Sequence, residues 1–320
     1  MTAPPPSDTL WLKMKHLFWI PCAAALLAAG LAQHAPNPFL GRWDVTVTAG
    51  QDTYPDWIEV SEKDGKLAAL VQPRSGGTTW ASAVKLDGSR LTVTLGGGRG
   101  PATVWDLAAN GDSFSGDLKR GDAVRGHLAG VRAPALDRPM PAAWSDPEPI
   151  FTGRDLTGWE PFGAANHWVA KDGELVNEAH GANLRTTRKF DDFKLHIEYN
   201  CPNEGNSGVY LRGRYEVQVE YEAVDANDKF HGMGAIYSFL APAVQLPRRP
   251  GTWESYDVTL VGRHVTIVRD GVKTVDNQEI PGITGGALDS HEAEPGPFYI
   301  QGDHTGGMKY RNITVQVPKR

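Results

Sequence analysis

The sequence predicts an all-β protein, a small β-barrel followed by a two-sheet jelly-roll sandwich. Three observations carry that reading. Short runs with apolar and polar residues alternating at period two recur along the chain, and no long stretch shows the helical period. Asp-Gly and Asn-Gly pairs stand between successive runs, where two-residue hairpin turns need them. The 320 residues include 36 Gly, 23 Pro and 10 Trp, a composition of many turns and short strands.

The chain opens on a segment that is not part of this fold. Lys13, Lys15 and His16 precede an apolar run from Leu17 that closes on Gly30-Leu31-Ala32. A charged start, an apolar middle and small residues at the end describe a secretory signal peptide over residues 1–32, with Met14 as an alternative start behind an upstream extension. The run is shorter than the roughly 20 residues that a membrane-spanning helix needs, so no stable membrane anchor is expected. The expectation is export, to the periplasm or the medium. Cleavage would leave Cys201 as the sole cysteine, without an internal disulfide and better read as a small buried residue than as a nucleophile. A net charge of -6 and the lack of a basic cluster with interleaved aromatics argue against nucleic acid as a partner.

Residues 39–132 follow as the barrel. Trp43, Val45 and Val47 alternate with Asp44, Thr46 and Thr48, and further runs cover residues 57–60, 66–72, 81–86, 90–95, 102–107, 113–118 and 124–131. Asp64-Gly65, Asp87-Gly88 and Asn110-Gly111 supply the turns. About eight hairpin-linked strands in this length make an up-and-down barrel or a sandwich. The opening Gly41-Arg42-Trp43 looks like the start of a lipocalin-type barrel. No constellation of convergent polar groups appears here, so an accessory role is expected. Residues 133–145 are rich in Pro and Ala and read as a stiff linker.

The second domain, residues 146–320, contains eleven further candidate strands by the same criteria, among them 193–200, 208–212, 215–220, 234–239, 253–261 and 298–301. Its most informative stretch is Asn206–Glu220, two strands joined by a Gly-containing turn. The odd-numbered side chains are mostly apolar. Their even-numbered neighbours are Tyr210, Arg212, Arg214, Glu216, Gln218 and Glu220, and side chains two apart share a sheet face. Planar, multidentate groups of this kind suit a polyhydroxylated ligand, although the pattern alone equally allows a merely exposed face.

Ordered motifs through this domain resemble the 3-keto-disaccharide hydrolase family, also described as 3-keto-glucoside 1,2-lyase and 2-hydroxy-3-keto-glucal hydratase domains. They are Ile150-Phe151-Thr152-Gly153-Arg154-Asp155-Leu156-Thr157-Gly158-Trp159, Trp168–Leu175, Asp192–Tyr199, the 206–220 block, Gly234-Ala235-Ile236-Tyr237, Ile300-Gln301-Gly302-Asp303-His304 and Tyr310-Arg311-Asn312-Ile313. The resemblance implies a concanavalin-like sandwich with a sugar site on one sheet. It does not reach the N-terminal strands. Two positions depart from the family pattern: Glu254 stands where Asn is common, and Asp270-Gly271 replaces an Asn-Gly turn.

The implied activity is cleavage of a 3-keto-glycoside. The C3 ketone acidifies the C2 proton, a base removes it, and the C1 oxygen leaves by β-elimination. Hydration of the resulting 2-hydroxy-3-keto-glucal would make the net reaction a hydrolysis. Such a site needs a base, an electrostatic partner for the enolate and an acid for the leaving oxygen. Within the matched motifs the candidates are His304 as general base or metal ligand, Glu216 as its partner or second acid–base group, and Arg212 for the enolate or as a salt-bridge partner. Glu198 either assists or orients Arg212. Asn206, Tyr210, Gln218, Tyr237, Gln301 and Lys309 are the expected sugar binders. His231 is a candidate for the rim, while Trp159 and Trp168 are better read as core. No cofactor is firmly implied; a divalent ion on Glu216, Asp303 and His304 is the one option, with no compact ligand spacing behind it. The alternative function is a non-catalytic carbohydrate-binding protein.

Overall fold

A computed structural model of the chain describes residues 37–96, 101–222 and 228–319. The expected leader over residues 1–32 lies outside the described residues. Among the described residues every regular element is a strand, and no helix is long and apolar enough to cross a membrane.

Nine strands form the first sheet: β1 (Gly41–Ala49), β2 (Asp52–Lys63), β3 (Lys66–Gln72), β4 (Thr79–Trp80), β5 (Ala83–Asp87), β6 (Arg90–Leu95), β7 (Thr103–Asn110), β8 (Ser113–Arg120) and β9 (Ala123–Arg132). Their order is β4-β3-β2-β1-β9-β8-β7-β6-β5. The Ala81 amide donates to Ala69 and the Ser82 amide to Thr94. The chain between β4 and β5 thus passes from the β3 end of the sheet to the β6 end, and the sheet curls. Trp43, Val45, Ile58, Leu91, Trp105, Leu107 and Phe114 fill its interior. Asp64 and Gly65 both take positive φ, the geometry that a tight hairpin turn demands.

The remaining strands are β10 (Glu148–Pro149), β11 (Trp159–Phe162), β12 (Trp168–Lys171), β13 (Glu174–Asn177), β14 (Asn183–Thr186), β15 (Phe193–Asn200), β16 (Asn206–Leu211) and β17 (Tyr215–Glu220). They are followed by β18 (Trp253–Val261), β19 (His264–Arg269), β20 (Val272–Glu279), β21 (Tyr299–Ile300) and β22 (Met308–Gln316). Eight of them build one sheet, in the order β12-β13-β22-β15-β18-β19-β20 with β10 on β22. The other sheet runs β11-β14-β21-β16-β17. Leu195, Ile197 and Tyr199 of β15 meet Val209, Leu211, Val217 and Val219 of β16 and β17 in one apolar core, so alternation places each strand's apolar side inward.

Two sequence expectations need correction. Residues 234–239 do not form a strand: positive φ at Gly234 and Ser238 breaks the extended backbone, and only Ile236 makes isolated bridges, to Val217 and Leu240. In contrast, β11 and β20 have no counterpart in the sequence reading, because Pro161 interrupts one and the largely exposed β20 lacks alternation.

The nine-stranded sheet is locked to the sandwich. Trp57 of β2 is fully buried in the sandwich core, edge-on to Phe239 at 5.4 Å. Arg42 pairs with Glu279 at 2.7 Å and Thr46 bonds to Ser290 at 3.0 Å. Asp44 is buried beside Glu292. Burial, then that neighbouring carboxylate, pushes its own carboxyl up to about 9, so the pair holds a proton.

Candidate active site

The site is built on the β16–β17 hairpin. Its register pairs Asn206 with Glu220, Gly208 with Gln218 and Tyr210 with Glu216, which sets these side chains on the face opposite the core. That face is not solvated: Glu216 is only 4% exposed, Gln218 5% and Glu220 2%. The edge of β17 carries the 234–237 segment, through Gln218 to Ala235 and Tyr237 to Glu216 backbone bonds. Residues 284–286 lie across the hairpin. Tyr210 and Tyr299 stack at 3.8 Å, and their hydroxyls donate to the Gly285 and Gly286 carbonyls at 2.7 and 2.6 Å. The loop after β3 closes the same side, with the Gly286 amide donating to Arg74 and the Gln72 side-chain amide donating to Gly76.

These elements enclose a cavity of about 210 Å³. Asn206, Tyr210, Glu216, Gln218, Tyr237, Gln301, Asp303 and His304 all line it, together with Ser75, Gly76, Gly285 and Gly286. The Glu216 carboxyl lies directly over Gly208, where a Cβ would come within 2.1 Å of it; only glycine leaves that space. Burial pushes the Glu216 carboxyl up to about 8. The Tyr210 hydroxyl and the His304 charge oppose the rise, and Asp303 adds to it. His304 Nδ1 meets Asp303 at 3.0 Å, and that bond holds the imidazole above its ordinary value against the opposing effect of burial. Burial acts upwards on Asp303 too, but the bonds from His304 and from Asn183 (3.2 Å) outweigh it, so its carboxyl is lowered and stays ionised.

The loop that carries His304 is fixed by its neighbours. The Gln301 amide donates to Gly208, Ser207 Oγ donates to the Gln301 carbonyl at 2.7 Å, and the Asn206 amide donates to Thr305 Oγ1 at 2.7 Å. Gln218 Oε1 and Gln301 Oε1 are buried without a hydrogen-bond partner among the described residues. Such orphaned acceptors carry a desolvation cost that a ligand hydroxyl relieves.

Three expected site residues lie elsewhere. Arg212 sits at φ +52° in the turn between the strands, which breaks the alternation. Its guanidinium is fully buried against Tyr215 Oη, the Gly262 carbonyl and Asp191. Glu198 projects from β15, in the opposite sheet, and accepts from Arg311 and Asn312 at 2.6 Å each. It lines an open depression of about 690 Å³ with His196 and Asn312. Lys309, on β22, pairs with Glu174 at 3.0 Å. The expected metal ligands do not make a ligand set as they stand. His304 Nδ1 is engaged with Asp303, and no three His, Cys, Asp or Glu side chains converge among the described residues.

Other expectations settle simply. Trp159 and Trp168 are core residues whose indole N–H groups donate to the Ile150 and Ala182 carbonyls. Cys201 is buried, and burial pushes its thiol up to about 12. His231 lines a second cavity of about 490 Å³, which shares Asn206, Gln218 and Tyr237 with the first. Ser75, Gly76, Gly285 and Gly286 were not among the expected residues; Ser75-Gly76-Gly77 and Gly285-Gly286 leave a local mark in the sequence only as turn signals.

The all-β fold holds a cavity lined by hydroxyl-recognising groups, and the chain's family match makes it a carbohydrate-active protein. Residues 146–316 match the family described as the 3-keto-alpha-glucoside-1,2-lyase-like domain, and the chain belongs to that family. No curated protein matches the chain. Among solved structures it is similar to a candidate glycosyl hydrolase of Parabacteroides distasonis, with 28% identity over 56% of this chain and 92% of that one and a TM-score of 0.47. A second such protein from the same organism has 20% identity, coverage of 52% and 91% and a TM-score of 0.43. A carbohydrate-binding module of Bacillus subtilis has 13% identity, coverage of 51% and 97% and a TM-score of 0.34.

Proposed function

We propose that this protein cleaves 3-keto-glycosides by removing the C2 proton and eliminating the C1 substituent, and that the same groups hydrate the 2-hydroxy-3-keto-glucal so formed. The observation that carries this reading is the Glu216 carboxyl, raised to about 8 by burial in a polar cavity beside His304. A carboxylate of ordinary basicity is poorly matched to a carbon acid; one raised this far is much better matched. At neutral pH most of Glu216 therefore carries its proton, and the ionised fraction is the active one.

In the proposed step, Glu216 takes the C2 proton and the C2–H electrons move into the bond to C3, placing charge on the ketone oxygen. The charge then returns, C1=C2 forms, the C1–O bond breaks, and the leaving oxygen takes a proton. His304, whose protonated form the Asp303 bond favours, supplies positive charge to the enolate and a proton to the leaving group. Gln218, Gln301 and Asn206 are the groups for sugar hydroxyls. Hydration runs the same sequence backwards with water at C1.

Incubation with a 3-keto-glucoside should give an ultraviolet-absorbing enone or 3-keto-glucose, with no turnover of the unoxidised glucoside. In deuterated water, label should enter at C2. A protein that retains the sugar without ever converting it would instead be a carbohydrate-binding module.

A further inference from the structure

We propose that the loop after β3, outside the family-matched region, joins Glu220 and His231 in a second subsite, which takes a neutral, hydroxylated leaving group and rejects an anionic one. The proposal rests on the reading above, which places the C2 hydrogen beside Glu216. The second cavity adjoins the first at Asn206, Gln218 and Tyr237, and that shared wall is the way out we assign to the C1 substituent. The first cavity, at about 210 Å³, falls below the ~300–1,000 Å³ of typical ligand sites, and the adjoining 490 Å³ brings the pair into that range.

The loop is pinned on both sides. The Gln72 side-chain amide donates to Pro73 and Gly76 at 2.8 and 2.9 Å, and the Thr78 amide donates to Ser238 Oγ at 3.0 Å. Ser238 Oγ lies 2.7 Å from His231 Nε2, and His231 Nδ1 lies 2.7 Å from Asp228. The Asp228–His231–Ser238 order is that of a nucleophilic triad, yet Gly77 covers the hydroxyl so closely that a Cβ there would come within 2.4 Å of it. No acyl group fits against that oxygen. The three side chains act as a clamp that presents Thr78 and Thr79 to the second cavity.

The chemistry of the lining selects the ligand. Glu220 Oε2 and Gln218 Oε1 are buried acceptors without a partner among the described residues, and both residues line this cavity. Glu222 and Asp228 add two carboxylates, and no Lys or Arg lines the cavity among the described residues. Acceptors in this number match the hydroxyls of a second sugar ring, whereas a carboxylated or phosphorylated ring would meet like charge.

The test compares kcat/KM for 3-keto-glucosides bearing methyl, glucosyl and glucuronyl leaving groups. The native protein should prefer glucosyl to both others. Combined Thr78→Ala and Thr79→Ala should cut the glucosyl-to-methyl preference by about tenfold, the scale of one to two lost hydrogen bonds. Combined Glu220→Gln and Glu222→Gln should narrow the glucosyl-to-glucuronyl gap by about tenfold, since together they remove charge and keep shape. Preferences unchanged by either variant, or equal rates for all three leaving groups in the native protein, would overturn the proposal. Should no 3-keto-glucoside react, the proposed reaction fails, and calorimetric binding of the same three compounds to the same variants decides the subsite alone. Tighter binding of the glucosyl compound that weakens in the variants supports it; equal binding ends it.

Discussion

Two sheet faces in the sandwich carry nearly the same letters and opposite chemistry. On β15, His196 and Glu198 alternate with Leu195, Ile197 and Tyr199; on β17, Glu216, Gln218 and Glu220 alternate with Val217 and Val219. Burial is the largest single influence on the Glu198 carboxyl and acts upwards, but the bonds from Asn312 and Arg311 with the Arg311 charge together outweigh it, and the carboxyl ends below its ordinary value. Glu216 is raised to about 8. The difference lies in what covers each face. Arg311 and Asn312 reach Glu198, and its side chain stays partly exposed. Over Glu216 the 284–286 segment and the loop after β3 remove water without bringing an arginine or lysine. A carboxylate becomes a strong base when its cover is uncharged.

The sharpest way to break that comparison is exchange of the two carboxylates. Glu216→Gln should lower kcat on a 3-keto-glucoside by roughly 10²–10⁴-fold, the range for losing a general base, and a loss below tenfold would remove Glu216 from the chemistry. His304→Gln should cost about 10²-fold, with loss of any alkaline fall in rate, as expected of an acid acting on the leaving oxygen. From pH 6 to 7 the native kcat/KM should rise about tenfold and then bend over towards pH 8, because Glu216 must lose its proton before it can accept one while His304 must keep its own. A profile flat from pH 5.5 would mean a base of ordinary carboxylate strength.

Stability should move the other way. Glu216, Asp56 and Asp44 are raised in the folded protein, to about 8, 8 and 9. Below the unfolded values, near 4, all three are protonated in both states and impose no penalty. Above about pH 4 the unfolded chain ionises while the folded one keeps these protons, so stability falls progressively until the folded groups ionise in turn, at about 8 to 9. Tm should therefore fall from pH 5 to pH 9, and Glu216→Gln should flatten the slope. The smallest effects belong to residues outside the cavity: Arg212→Met should destabilise by about 1–3 kcal/mol through its orphaned partners, with kcat in the folded fraction changed by no more than about threefold, and Glu198→Gln should leave kcat within about twofold, as for other substitutions away from reacting atoms.

Much of this site can be read from alternation. Asn206, Tyr210, Glu216 and Gln218 come from one strand pair, and the Gln301-Gly302-Asp303-His304 motif reaches the same cavity through β21. Counting by twos fails at Arg212, because a turn with positive φ at Arg212 and Gly213 rotates the side chain away from the face. It fails again for Glu198 and Lys309, since period two assigns a face within a sheet and says nothing of which sheet. Ser75 and Gly76 are beyond its reach for another reason. They lie more than a hundred residues from the hairpin and close the cavity by where a loop is pinned, so their own letters carry no mark of it.

Trp57 gives the N-terminal half a consequence for experiment and for descent. A fragment beginning at Asp146 would keep the whole family-matched stretch yet carry an empty slot where an indole belongs, at a cost of about 3–5 kcal/mol for a vacated aromatic site. Such a fragment should come out of cells aggregated or bind an apolar dye, and Trp57→Ala in the full chain should reproduce part of that fault. Relatives lacking the curled sheet would then need a bulkier residue of their own at that spot, a substitution that can be sought by eye.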